Sequence, residues 1–144
     1  MALKIIDYGS PEYLQMIQLR NDILRKPLGL SFIPEELETE KEEILIGAFE
    51  FEKMLGCCML IKTDPETVRL RQMAVSNNLQ GKGVGRALMQ FAENIARDRG
   101  FRRITMHARK TATGFYEKLG YAVNGVEFEE VTLPHVEMEK NLLT

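Results

Sequence analysis

Apolar residues recur along the chain with two different periods, and the switches between them predict a mixed α/β protein. Residues 3–6 are short and apolar and predict a first strand. Ser10-Pro11-Glu12 follows, with a capping serine, a proline suited to the first helical position and an early acid, so a helix opens there. Leu14, Ile17 and the Ile23/Leu24 pair give it an apolar stripe, and Pro27 and Gly29 end it. Residues 34–43, PEELETEKEE, predict a solvated short helix or loop. Residues 44–51 and 54–63 predict a hairpin turning near Glu52-Lys53, and Asp64-Pro65-Glu66 reads as another turn. Val68, Leu70, Gln72 and Ala74 alternate with Arg69, Arg71, Met73 and Val75, the period of a strand. Positions 84, 88, 91, 92 and 95 are apolar at helical spacing, and Gly100 suits the end of that helix. Ile104, Met106 and Ala108 alternate again as a strand, and residues 111–119 form a short helix closed by Gly120. The segment 121–141 predicts one or two strands separated by an acidic turn at 127–130.

Three consecutive strands in the first half argue for hairpins. The strand–helix–strand unit over 68–108 argues for a parallel crossover, so the expected architecture is one mixed α/β sheet with helices on both sides. A length of 144 residues fits a single domain spanning 1–144.

Composition removes several function classes. A formal net charge of −2 offers no global field for nucleic acid or an anionic membrane, and basic and aromatic residues are not interleaved. The N-terminus lacks the basic-then-apolar order of a secretory signal, and no window reaches the ~20 apolar residues of a membrane span, so a cytoplasmic protein is expected. Cys57 and Cys58 are adjacent in an apolar strand and point to opposite faces, so they are expected to pack as free thiols. No cysteine–histidine spacing suggests a metal site.

The chemistry concentrates at Gln80-Gly81-Lys82-Gly83-Val84-Gly85-Arg86, between a strand and an amphipathic helix. Alternating glycines permit positive φ and let successive N–H groups converge, and the helix N-terminus adds unpaired donors and partial positive charge. The result suits a pyrophosphate. A P-loop would need Ser or Thr after Lys82, where Gly83 stands, and a dinucleotide turn would need a glycine where Leu88 stands.

Gln80-x-x-Gly83-x-Gly85, after a strand ending Met73-Ala74-Val75, resembles the acyl-CoA signature of the GNAT family of N-acetyltransferases. Ala112 followed by Phe115-Tyr116-Glu117-Lys118-Leu119-Gly120-Tyr121 is similar to that family's second signature. The tail Pro134-His135-Val136-Glu137-Met138 is similar to that of a bacterial subset, the ElaA- and YjcF-like proteins. The resemblance implies a mostly antiparallel, six- to seven-stranded sheet and acetyl-CoA as co-substrate, without a metal.

It also implies roles. Backbone N–H groups of Gly81, Gly83, Gly85 and their neighbours Lys82, Val84 and Arg86 would hold the pyrophosphate. Met73 and Val75 would pair with the pantetheine arm, and an N–H near Ala74 would face the thioester oxygen. Tyr116 would donate a proton to the departing thiolate, and Ala112 and Phe115 complete the second signature. The family's pantetheine-contacting asparagine is replaced by Arg109, which with Lys110 could reach a CoA phosphate or end the strand in solvent. No carboxylate stands on the strand before the turn, so either a water chain takes the proton or one of His107, His135, Glu127 and Glu129 does, with His135 bordering the acceptor pocket. Arg20, Asn21 and Phe32 would line that pocket. The implied activity is acetyl transfer to a primary amine of a small molecule. Transfer to protein amines and acyl-CoA sensing without turnover are the alternatives, and the assembly, monomer or homodimer, stays open.

Overall fold

The computed structural model describes residues 1–30 and 37–143. Among the described residues there are eight strands and three complete α-helices, and the sheet order is β1-β2-β3-β4-β5-β8-β6, with β7 also paired to β8. The expected mixed, mostly antiparallel sheet is present, with eight strands where six to seven were expected, because the tail divides into three strands rather than one or two.

The chain falls into two compact units. The first holds residues 1–61 and 72–92. In it β1 (Ala2–Ile6) pairs antiparallel with β2 (Ile44–Glu50), which pairs antiparallel with β3 (Lys53–Asp64). The turn between β2 and β3 carries Phe51 with φ 56°. Helix α1 (Pro11–Arg20) begins as expected, with the Ser10 hydroxyl accepting from the Tyr13 N–H at 3.2 Å. Its buried face is Tyr13, Met16 and Arg20, whereas Leu14 is 66% exposed. The helix then widens into a π turn over Asn21–Arg25 and a 3-10 turn over Lys26–Leu28, which Gly29 ends in the left-handed region.

The α1 face packs with Ile6, Leu45, Phe49, Met54, Cys57, Met59 and Ala74. Helix α2 (Val84–Asp98) covers the opposite face, since a Cβ on Gly56 would stand 2.9 Å from Val84 Cγ1 and 3.0 Å from Leu88 Cδ1. Gly56 and Cys57 are neighbours in β3 and so point to opposite faces. Helices therefore cover both faces of the sheet, as the alternation predicts.

The second unit holds residues 62–71 and those from 93 onward. Strand β4 (Thr67–Val75) runs through both units. Its residues 67–70 pair in parallel with residues 103–106 of β5 (Arg103–Arg109), and the ladder stops there while both strands run on. β5 pairs antiparallel with β8 (Leu133–Asn141) over seven positions. β8 in turn pairs with β6 (Ala122–Val123) and β7 (Phe128–Glu130). The acidic segment expected as a turn thus contains a strand, and the reversal lies at Val131-Thr132. Helix α3 (Thr113–Lys118) follows a 3-10 turn after β5. Glu93, 7% exposed, receives the Lys140 ammonium at 2.9 Å and the Tyr121 hydroxyl at 3.0 Å.

Cys57 and Cys58 are buried and unbridged, as expected. Burial pushes the Cys57 thiol up to about 12 and the Cys58 thiol upward, and burial also raises the Tyr13 and Tyr121 phenols. In the unfolded chain thiols ionise near 8.5 and phenols near 10, by ordinary values of about that size. Above those values the unfolded chain binds fewer protons than the folded one, so stability falls as pH rises. The slope reaches about 1.4 kcal/mol per pH unit for each group. Urea unfolding midpoints are expected to drop between pH 8 and pH 10.5. A flat profile would show that these groups ionise in the folded state as well.

Candidate functional site

In the first unit the turn after β4 is built by short-range bonds. The Ser76 N–H donates to the Leu55 carbonyl at 3.0 Å, Leu79 N–H to Ser76 O at 2.9 Å and Lys82 N–H to Leu79 O at 3.2 Å. The Gln80 amide folds back to the Val75 carbonyl at 3.3 Å and to Asn77 Oδ1 at 3.4 Å, bracing the strand end. Gly81 and Gly83 take φ of 81° and 87°, and no atom lies within 4 Å of where their Cβ atoms would stand. The backbone conformation, not crowding, is what demands glycine here, and it leaves the turn open on its outer side.

The Ala87 N–H to Gly83 carbonyl bond, 3.0 Å, starts the helical ladder. The N–H groups of Val84, Gly85 and Arg86 therefore have no acceptor within the helix. Lys82 and Arg86 are exposed beside them. A 15-residue helix behind this turn adds its partial positive charge. Gly56 seats the first turn of α2 against β3, with the Ala74 carbonyl 3.1 Å from its Cβ position, so the cradle is rigidly placed on the strand it follows. Ala74 is buried and Met73 and Val75 half-buried. The alternation of β4 is interrupted at Gln72, whose φ of 58° is left-handed.

In the second unit Tyr116 is 6% exposed, edge-on to Phe115 at 4.9 Å and to Tyr121 at 6.0 Å. Phe115 is 38% exposed, whereas Tyr116 and Tyr121 are buried. Ala112 and Arg109 are half-buried, and Arg109 stands opposite His135 in the β5–β8 ladder. Lys110 is paired with Glu127 at 2.7 Å, which raises the ammonium pKa and gives this cation a partner inside the chain.

His135 is 4% exposed. Its Nδ1 lies 2.9 Å from the Leu133 carbonyl, which can only accept, so Nδ1 carries the hydrogen. Its Nε2 is 3.8 Å from Glu130 Oε2, and Glu130 Oε1 is 3.0 Å from His107 Nδ1. Phe128 stacks on His135 at 6.0 Å and meets His107 edge-on at 5.1 Å. Sequence reasoning named Glu127 and Glu129 and missed Glu130. Strand period was the available signal, because Glu130 shares the face of Phe128 two residues earlier.

At the end of α1, Arg20 is wholly buried and its guanidinium grips Glu40, Nη1 to Oε1 at 2.8 Å and Nη2 to Oε2 at 2.6 Å. Tyr13 donates to the same carboxylate at 2.7 Å. The expected acceptor-facing arginine is therefore committed to the protein interior. Asn21, which opens the π turn, keeps Oδ1 buried with no hydrogen-bond partner among the described residues. Phe32 lies outside the described residues. An open groove of about 710 Å³ borders the β2–β3 turn at Phe51, Lys53 and Leu55, with Asn78 and Leu79 on its other wall. Among the described residues no helix is long and apolar enough to cross a membrane.

A family model described as an acetyltransferase (GNAT) domain matches residues 30–142. The uncharacterized N-acetyltransferase YjcF of Bacillus subtilis is 32% identical over 108 residues, covering 74% of this chain and 75% of the relative. The chain matches only 51% and 57% of the length of two other curated relatives. A crystal structure of an aminoglycoside 6′-N-acetyltransferase complexed with coenzyme A superposes with a TM-score of 0.86 at 18% identity, covering 100% of this chain and 98% of that one. Escherichia coli ElaA superposes at 0.82 with 18% identity, over 96% of this chain and 98% of its own. With the family model covering most of the chain and both glycine-rich and tyrosine signatures in place, this chain belongs to the GNAT acetyltransferase family.

Proposed function

We propose that the chain moves an acetyl group from acetyl-CoA to a primary amine of a small molecule, by direct attack in a ternary complex. The observation that carries this reading is the open cradle at Gly81 and Gly83, with positive φ and no atom within 4 Å of either Cβ position, leading into a long helix. Its N–H groups suit a pyrophosphate, with Lys82 and Arg86 at the rim. Main-chain groups of Met73, Ala74 and Val75 would hold the pantetheine arm and face the thioester oxygen, where one donor is worth about 3 kcal/mol. Arg109, Ala112 and Phe115 belong to the same cofactor set in this reading.

Acetyl-CoA supplies an activated carbonyl carbon and a thiolate leaving group. The Tyr116 phenol serves as the acid for the thiolate. His135 belongs to the group of side chains that handles the amine proton. Asn21, with its unsatisfied buried oxygen, and Phe32 serve the acceptor, while Arg20 acts through Glu40 on the shape of the helix end.

Thiol release from acetyl-CoA against a panel of amines tests the reading. Tyr116→Phe is expected to lower kcat about 100-fold while leaving the Kd for CoA within twofold. If CoA binds but no amine accelerates release and Tyr116→Phe changes nothing, the chain is a binding module instead.

A further inference from the structure

We propose that His107, through Nε2, takes the acceptor's ammonium proton, and that Glu130 is the positioning residue that holds it ready. The inference rests on the transfer reading and names the base that reading leaves open.

His107 is the first residue of β5 past the end of the β4–β5 ladder, whose last paired positions are Leu70 and Met106. It is therefore the first β5 position without a partner in the β4 ladder. Its Nδ1 lies 3.0 Å from Glu130 Oε1. A carboxylate only accepts, so the neutral ring carries its hydrogen on Nδ1 and presents a bare Nε2. That nitrogen has no partner among the described residues. The side chain is 29% exposed, enough to meet an acceptor and to pass a proton to water. A base held in one tautomer by a carboxylate behind it is the arrangement that proton abstraction favours.

His135 is placed differently. Its Nδ1 is tied to its own chain at Leu133, its side chain is 5% exposed, and its Nε2 is directed at the second oxygen of Glu130. It is buried beside the carboxylate, 3.8 Å away and without a hydrogen bond to it, rather than facing solvent. Phe128 contacts both rings and fixes their spacing. The hairpin that delivers Glu130 is itself strained, since Val131 and Thr132 hold φ of 45° and 66°. β-Branched residues avoid that region, and a two-residue turn of this kind ordinarily takes Asn-Gly. Glu137 stands opposite His107 on β8 and is bonded to Asn124, Arg109 follows two residues along its own strand, and Arg71 follows the last laddered residue of β4.

The proton count closes. An ammonium loses two protons in becoming an amide. One leaves from His107 Nε2 to water, and the other replaces the proton that Tyr116 gives to the thiolate, so thiol, amide and one released proton result.

Two measurements on the full chain test this. Ring-nitrogen NMR of the free protein is expected to show neutral His107 in the Nδ1–H form, and Glu130→Gln is expected to lose that preference. An Nε2–H form in the wild type overturns the dyad. In kinetics, His107→Asn is expected to lower kcat at least 100-fold, abolish the acidic limb of the kcat profile and leave the KM for acetyl-CoA within twofold. Glu130→Gln should cost about 10-fold in kcat, with partial recovery in Glu130→Asp. His135→Asn should keep the limb. If the limb survives in His107→Asn, or disappears in His135→Asn alone, the inference is wrong while the transfer reading stands. Failure of every amine to accelerate thiol release in the wild type removes the transfer reading itself, before any histidine variant is made.

Discussion

Glu40→Ala is expected to lower the unfolding free energy by about 3–5 kcal/mol, the usual cost of removing one member of a buried ion pair. Against a typical total of roughly 5–15 kcal/mol, that is enough to leave much of the chain unfolded at 37 °C. The reason is geometric. Arg20 is 0% exposed and Glu40 5%, and both carboxylate oxygens accept from the guanidinium at 2.6–2.8 Å. Removing the carboxylate takes a bidentate partner from a guanidinium that is wholly buried beneath α1. Tyr13→Phe removes one hydroxyl donor to Glu40 and should cost only about 1–2 kcal/mol. Replacing both charges, as in Arg20→Met with Glu40→Met, should recover most of the single-variant loss, because a buried pair exchanged for apolar groups is close to neutral. Urea unfolding of the four proteins closes a double-mutant cycle. A loss below about 1 kcal/mol in Glu40→Ala would show that water reaches the pair and that its attraction is largely screened.

The second large effect concerns the cradle. Gly83→Asp is expected to weaken CoA binding at least 100-fold, about 3 kcal/mol. Two causes add. A non-glycine residue at φ 87° strains the backbone by about 1–2 kcal/mol and tilts the converging N–H groups. The new carboxylate then stands where a pyrophosphate would bind. The space around Gly83 is open, so the fold should survive. Gly125→Asp is the control, since it imposes similar strain at φ 99° in a loop of the other unit, with equal room for the side chain. Calorimetric titration with CoA should show full affinity in that control. Equal affinity in Gly83→Asp would place the pyrophosphate elsewhere.

The elements whose signals are local were legible in the residues. The Ser10 cap, the Gly29 stop, the period of α2 and the glycines at 81 and 83 all depend on neighbours within a turn, and each stands where the pattern predicts. Free cysteines followed from adjacency alone.

The site chemistry is where local reading fell short. Glu40 sits in an acidic run that reads as solvated, yet it is buried, because a partner 20 residues earlier supplies the compensating charge. Glu130 sits in a second acidic run, and only the β7–β8 pairing brings it between His107 and His135. Leu14 and Phe115, apolar and well spaced, are exposed, while Arg20 is buried. Backbone conformation responds to glycine, proline and capping side chains a few residues away, so the sequence alone determined the strand–turn–helix cradle and the alternation of elements. The environment of a charge is set by residues far along the chain, so only tertiary structure decided which carboxylates leave water and which histidine keeps a nitrogen open to it.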